Sequence, residues 1–218
     1  MQFSVNLNNR DNYYIFVTYG LQPLKGLILL TTTICLIRHG ETDWNAQKRF
    51  QGREDIELNE NGKIQATEIA EHLGKVNWDV IISSPLKRAY STAQIVAKKL
   101  KIENTVINEN FIERDYGKAS GLTFAQWKHS FPDGIVPGKE NDESLKKRVI
   151  TGLDEIVGEY KEKNILLISH GAVINSVLKT VSNGAIDIGE TNIKNACFNL
   201  VLHNGTAYSV ELFNSRYL

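Results

Sequence analysis

The 218 residues include one methionine, two cysteines and four prolines, and the 25 basic side chains are balanced by 25 acidic ones. Two cysteines are too few for a disulfide scaffold. Cys35 and Cys197 sit far apart in apolar stretches, as expected for small buried hydrophobes in a reducing compartment. Scarce proline and no repeating glycine exclude a collagen-like chain or a low-complexity tail. A formal charge of zero argues against a nucleic-acid partner, which calls for a basic excess or stripe. No run reaches the roughly 18 apolar residues needed to span a bilayer. The best, Leu27 to Ile37, is interrupted by Thr31, Thr32 and Thr33 and ends in Arg38-His39-Gly40 without a small-residue cleavage site, so a signal peptide fits poorly. The expectation is a cytoplasmic protein with no membrane partner. Hydrophobic residues at 42% and charged ones at 23% are ordinary for a globular chain, and the length fits one domain with small insertions.

Met1 to Gly26 differs from the rest. It is rich in Asn, Tyr and Gln, lacks periodicity, and holds Pro23 and Gly26 before the first convincing strand. The reading is a mobile N-terminal extension over 1–26 and a single domain over 27–218. The rivals are a docked helix or edge strand around Tyr13–Val17, or a start assigned upstream of the true one.

From Thr33 the pattern becomes regular. Thr33–Ile37, Asp79–Ser83 and Ile165–Ser169 are short apolar runs of the buried-strand type, and Thr105–Ile107 is a weaker fourth. Asn59–Leu73 reads as a capped helix with Ala66, Ile69, Ala70 and Leu73 on one face and Gly74 at its end. A second helix follows Pro85, with Ala89, Ala93, Val96 and Leu100 aligned. A third spans Asp142–Tyr160, and a fourth starts after His170-Gly171. Phe111 to Gly138, with four glycines and two prolines, reads as loops around a short helix at Phe124–His129. Ala196–His203 and Thr206–Leu212 flank Asn204-Gly205, a hairpin signal. Alternating strands and helices imply a three-layer α/β/α domain with a mostly parallel sheet and a C-terminal antiparallel hairpin. Polar clusters follow two strand ends, Arg38 to Thr42 and Ser169 to Gly171. Ligands of open α/β sheets bind at the carboxyl ends of strands, so two histidines there point to one site.

An isolated Arg-His-Gly triplet is a weak signal. Here it ends a strand and extends through Glu41-Thr42-Asp43-Trp44-Asn45. With these residues the chain resembles the histidine phosphatase superfamily, which includes cofactor-dependent phosphoglycerate mutases and many acid phosphatases. The resemblance continues at Ser83 to Ala89, at Glu113-Arg114-Asp115-Tyr116-Gly117, at Glu143-Ser144 and at Ser169-His170-Gly171, covering Thr33 to Leu212. Compact length and the Glu113–Gly117 segment look most like the small bacterial broad-specificity phosphatases.

The resemblance implies that His39 is a nucleophile forming a phosphohistidine, and that His170 is the second pocket histidine, donating to phosphoryl oxygens. Arg38 and Arg88 offer planar forks suited to phosphate. Helix N-termini after both histidine loops are expected to add backbone donors. Glu113 fits the position of the general acid, with Asp115 as the competing carboxylate. Gly40, Thr42, Asn45, Gly52 and Gly171 are carried over as pocket-lining positions. No metal and no cofactor are expected, because the sequence has neither a Cys-x-x-Cys pair nor His-Glu-x-x-His.

Plainer readings stand beside these. His72, His129 and His203 read as packed or exposed residues, and Trp44 and Trp127 as packing. Arg88 could belong to a solvated basic face, and Glu113 could be a cap or an ion-pair partner. The implied activity is hydrolysis of small phosphorylated metabolites. One rival is phosphoglycerate mutase-type transfer, although Gly121 to Gly138 contains only Lys128 as a fixed cation. The other is a phosphoryl-binding or protein-interaction module without turnover. Substrate identity and oligomeric state are not legible.

Overall fold

The computed structural model describes residues 31–215. The extension read over 1–26, with its rival at Tyr13–Val17, lies outside the described residues. Strand β1 (Thr32–Arg38) is β-branched and apolar until its final arginine, and it is buried on both faces. Ile34 and Leu36 project into one hydrophobic cluster, Cys35 and Ile37 into another. Strands β2 (Val80–Ser83) and β4 (Asn164–Ser169) alternate in the same way. A strand covered on both sides needs apolar residues at every position, which is why these runs are continuous. Each fully buried Leu, Ile or Val contributes roughly 1.5–3 kcal/mol of transfer free energy.

With β3 (Thr105–Ile107), β5 (Phe198–His203) and β6 (Tyr208–Ser215), they form one sheet in the order β3-β2-β4-β1-β5-β6. The first four strands are parallel, and β5 and β6 pair antiparallel at one edge. Helices α2 (Glu60–Leu73) and α3 (Lys87–Leu100) cover one face, α5 (Asp142–Glu159) and α6 (Gly171–Val181) the other. This is the three-layer α/β/α arrangement expected. Asn59 caps α2 by accepting from the Gly62 N–H at 2.8 Å, and Asn141 caps α5 by accepting from Ser144 at 2.8 Å.

Besides one- or two-residue shifts at element ends, such as β5 starting at Phe198 rather than Ala196, three features differ from the sequence reading. The last strand starts at Tyr208 rather than Thr206 and runs on to Ser215, because Thr206 and Ala207 are held in the turn by the Asn204 side chain. A 3₁₀ turn at Glu109–Phe111 leads into the 111–138 region, which holds a second at Gly117–Ala119 besides α4 (Phe124–Ser130). After His39 there is only a one-turn helix, α1 (Asp43–Ala46), whose entry is closed by a reciprocal Thr42–Asn45 capping box. The backbone donors expected there are therefore partly used within the turn, unlike those of the eleven-residue α6.

The topology places the site. The chain leaves β1 toward β2 through α2 on one face, and leaves β4 toward β5 through α6 on the other. β1 and β4 are neighbours, with Arg38 opposite Ser169. The loops after them diverge, and the crevice between them is a topological switch point.

Candidate active site

The sheet ladder continues past the strand ends and fixes this crevice. The His39 N–H donates to the Ser169 carbonyl at 3.0 Å, Ser84 N–H to Ile168 at 3.0 Å, and Ala196 N–H to Arg38 at 3.1 Å. His39 and His170 therefore emerge side by side, their ring centroids 5.1 Å apart, and both are almost fully buried, at 2% and 0% exposure.

The tautomer of His39 follows from its partners. Nδ1 lies 2.7 Å from the Gly40 carbonyl, which can only accept. Nε2 faces the Arg88 Nε–H at 3.2 Å, which can only donate. His39 is thus a neutral imidazole with its proton on Nδ1 and its lone pair on Nε2. Burial first, then the Arg88 and Arg38 cations, push its pKa well below the usual histidine range, and the Gly40 hydrogen bond opposes them only in part. His170 is likewise held neutral by burial and by Arg88, His39 and Arg38. Its Nε2 lies 2.7 Å from Ser84 Oγ, and its Nδ1 is buried with no hydrogen-bond partner.

Arg88, in the first turn of α3, is 1% exposed, so the solvated-face reading does not hold. Its Nη atoms donate to the Glu54 and Gly52 carbonyls at 2.7 and 2.8 Å. Burial lowers its pKa to about 10, leaving it a cation at neutral pH. Arg38 donates from Nη1 to the Ile193 carbonyl, while its Nε is buried and unpartnered. Among the described residues, neither guanidinium is ion-paired with a carboxylate, although four arginine–carboxylate pairs occur elsewhere. Two cations, one buried and one half-buried, held by neutral groups beside two neutral imidazoles leave a local excess of positive charge, an environment for an anion.

Glu113 is 7% exposed. Its carboxylate accepts from its neighbour Arg114 N–H at 2.9 Å and from Ala172 N–H, in the first turn of α6, at 3.5 Å. The cap reading is thus part of its geometry. Burial raises its pKa, against the Arg114 N–H and the Arg88 and Arg38 cations. Asp115 is half-buried and closes a local turn by accepting from the Gly117 N–H at 2.7 Å.

The other carried-over positions act mainly through the backbone. Gly40 approaches α2 so closely that a Cβ would lie 2.3 Å from the Gly62 carbonyl oxygen. Gly52 supplies a carbonyl to Arg88. Thr42 is buried in the α1 cap, 3.0 Å from the Gln51 side chain. Asn45 closes the same box and accepts from Asn195 Nδ2 at 3.2 Å. Gly171 opens α6, where a Cβ would meet the Glu190 carbonyl at 2.5 Å. Glu143 is exposed in the first turn of α5 and lines a cavity of about 600 Å³ with Arg114, Ala172 and Glu190.

The sequence reading missed several contributors. Asn195 donates to the His39 carbonyl at 3.0 Å. Ile193 holds Arg38. Ser84 meets His170. Arg148 of α5 donates to the Asn110, Ile112 and Glu113 carbonyls at 2.8, 2.6 and 3.3 Å while paired with Glu140. Tyr116 donates to Glu190 at 2.6 Å, and Arg114 pairs with Glu190 at 2.7 Å. Ser84, Arg114 and Tyr116 lie in segments that carried the resemblance but were given no role, and Asn195 is a polar residue just before β5. As expected, His72 packs edge-on to Phe198, His203 lies against Tyr208, and His129 is exposed. Trp127 packs with Phe50 and Phe124, whereas Trp44 covers Gly121. A second cavity, of about 240 Å³, is walled by Phe50, Tyr116, Phe124, Trp127, Lys139 and Glu190. Both cysteines are buried and free.

Residues 34–216 match the family model for the histidine phosphatase superfamily (branch 1). The chain belongs to that superfamily. It is 41% identical over 183 residues to the Uncharacterized phosphatase PhoE of Bacillus subtilis (strain 168), covering 84% of this chain and 94% of that one. It is 32% identical over 167 residues to a Metal-independent phosphoserine phosphatase of Arabidopsis thaliana, covering 71% and 70%. Bacillus stearothermophilus YhfR has the same fold, with a TM-score of 0.77 at 22% identity over 84% of this chain and 97% of that one. Membership of the superfamily and the presence of phosphatases among the relatives support phosphatase activity in general. Among the described residues there is no helix long and apolar enough to cross a membrane, and no cluster of His, Cys, Asp and Glu able to hold a metal ion.

Proposed function

We propose that the chain is a metal-independent phosphomonoesterase that hydrolyses small phosphorylated metabolites through a phosphohistidine on His39. The observation that carries this reading is the pair of guanidiniums, buried Arg88 and half-buried Arg38, without carboxylate partners among the described residues, beside a histidine whose unprotonated Nε2 faces the Arg88 Nε–H. Phosphoryl transfer through a loose transition state asks for positioning and for positive charge around the equatorial oxygens, and little else. In the first half-reaction Nε2 of His39 attacks phosphorus, with the Arg88 Nε–H passing from that lone pair to a phosphoryl oxygen. The Gly40 carbonyl holds the ring and stabilises the charge it gains. Arg38, Arg88, His170 and the first turn of α6 surround the transferred group.

Glu113, whose acid form is favoured by burial, gives its proton to the departing alkoxide. As carboxylate it then takes a proton from the water that attacks phosphohistidine, which releases phosphate and restores His39. Asp115 is not assigned this role, because its carboxylate is committed to its own turn. The catalytic unit is residues 27–218, with 1–26 an extension to it, and the setting is cytoplasmic.

An assay in excess EDTA tests the reading. A panel of phosphate monoesters, including 3-phosphoglycerate with a trace of 2,3-bisphosphoglycerate, should yield free phosphate, with vanadate inhibiting. Loss of activity in EDTA restored by a divalent ion contradicts metal independence. Rapid 2-phosphoglycerate formation without phosphate release identifies a mutase instead.

A further inference from the structure

Ser84 stands at the carboxyl end of β2, one strand over from His170. Its Oγ lies 2.7 Å from His170 Nε2, with both residues fully buried, and it also accepts from the Leu86 N–H at 3.4 Å. We infer that Ser84 is a positioning residue: its hydroxyl donates to Nε2 of His170, fixes the ring proton on Nδ1, and so turns His170 into a neutral donor toward the phosphoryl group. This inference rests on the phosphohistidine reading for its consequence, but not for its geometry.

The argument is an account of protons. A neutral imidazole has one N–H, and the burial and cations around His170 keep it neutral. A serine hydroxyl has one proton and two acceptor positions. The Leu86 N–H occupies one of those positions, and among the described residues the one acceptor hydrogen-bonded to the Ser84 hydroxyl is Nε2 of His170. If Nε2 accepts that proton, the only group left without a partner is Nδ1–H. If Nε2 instead carried the proton, Ser84 would accept twice, its own proton would be stranded, and Nδ1 would hold a bare lone pair. The second arrangement leaves two buried groups unsatisfied rather than one, and buried polar groups are rarely left so. It would also turn a lone pair toward an incoming phosphoryl oxygen, which repels. The first arrangement presents an N–H already aimed, without reorganisation, at charge that grows in the transition state.

Both rings then carry their proton on Nδ1 but to opposite ends. In His39 the Gly40 carbonyl takes Nδ1–H and frees Nε2 as nucleophile. In His170 the Ser84 hydroxyl occupies Nε2 and frees Nδ1–H as donor.

The test reads the tautomer directly. Long-range proton–nitrogen correlation spectra of the ¹⁵N-histidine-labelled resting enzyme distinguish a protonated ring nitrogen from a bare one, with His170 assigned by comparison with His170→Gln. The expected result is a proton on Nδ1 and none on Nε2. A proton on Nε2, alone or together with Nδ1, overturns the inference. The spectrum precedes turnover, so it is readable whether or not a phosphohistidine forms on His39. In Ser84→Ala the proton should move wholly or partly to Nε2. The rate of phosphorylation should then fall by roughly 10–10²-fold with little change in KM, as for partial loss of one donor to a developing oxyanion. An unchanged tautomer with an unchanged rate in that variant also overturns it.

Discussion

Glu113 and Asp115 share one loop but not one environment, and the difference predicts which of them moves a proton. Burial raises the pKa of Glu113, so the acid form persists further up the pH scale than for an exposed glutamate. Its value as a proton donor depends on how basic the leaving oxygen is. Glu113→Gln should slow phosphorylation by glycerol or sugar phosphates by ~10²–10⁴-fold. Para-nitrophenyl phosphate, whose phenolate departs unprotonated, should lose far less in the burst phase. With alkyl phosphates, the wild-type phosphorylation rate should decline as pH rises through the raised pKa, and the Gln variant should lack that decline. Burial and nearby cations lower the pKa of His39, so the nucleophile stays neutral below the ordinary histidine range. Asp115→Asn should show neither leaving-group dependence nor the missing alkaline decline. Equal burst losses on both substrates in the Glu113 variant would remove it from the acid role.

At the scale of elements, the strand-end loop and α2 meet backbone to backbone. A Cβ on Gly62 would lie 2.1 Å from the Glu41 carbonyl oxygen, in the loop that carries His39. Neither partner is a flexible side-chain end, so the strain has nowhere to go. Gly62→Ala should cost about 3 kcal/mol in urea denaturation, the upper end for overpacking, and should displace His39 enough to depress turnover. An unchanged denaturation midpoint would mean that α2 can slide freely.

The same elements show what the sequence could and could not reveal. The faces of α2, α3 and α5 were readable because apolar residues recur at helical spacing, and β1, β2 and β4 because a strand buried on both sides is apolar throughout. His39 and His170 were readable as strand-end residues, but Ser84, Ile193 and Asn195 were not assigned. Their roles depend on strand order. β2 and β4 are neighbours only because β4 inserts between β2 and β1, and that adjacency brings Ser84 to His170. β5 runs antiparallel to β1, so its start, not its end, lies at the catalytic edge. Nothing local in Thr191 to Cys197 encodes that. Arg148 is similarly hidden, one charged residue among several on α5, distinguished only by the three carbonyls it reaches.

For the whole molecule, the composition shift before Leu27 sets residues 1–26 apart from the segments that carry the proposed site. A chain starting at Leu27 should keep its melting temperature and turnover, since chain termini commonly tolerate truncation. An inactive or insoluble product would assign residues 1–26 to the core or the site. The central claim, that His39 carries the phosphoryl group, is tested most directly by rapid quench. Enzyme mixed with para-nitrophenyl phosphate should be stopped in denaturing base, digested and mapped by mass spectrometry. A base-stable, acid-labile phosphoryl group on the peptide containing His39, formed at the rate of the nitrophenolate burst and absent in His39→Gln, is the predicted result. Turnover with no such adduct under conditions that preserve phosphohistidine, or a phosphoryl group on a different side chain formed at the burst rate, would contradict the account.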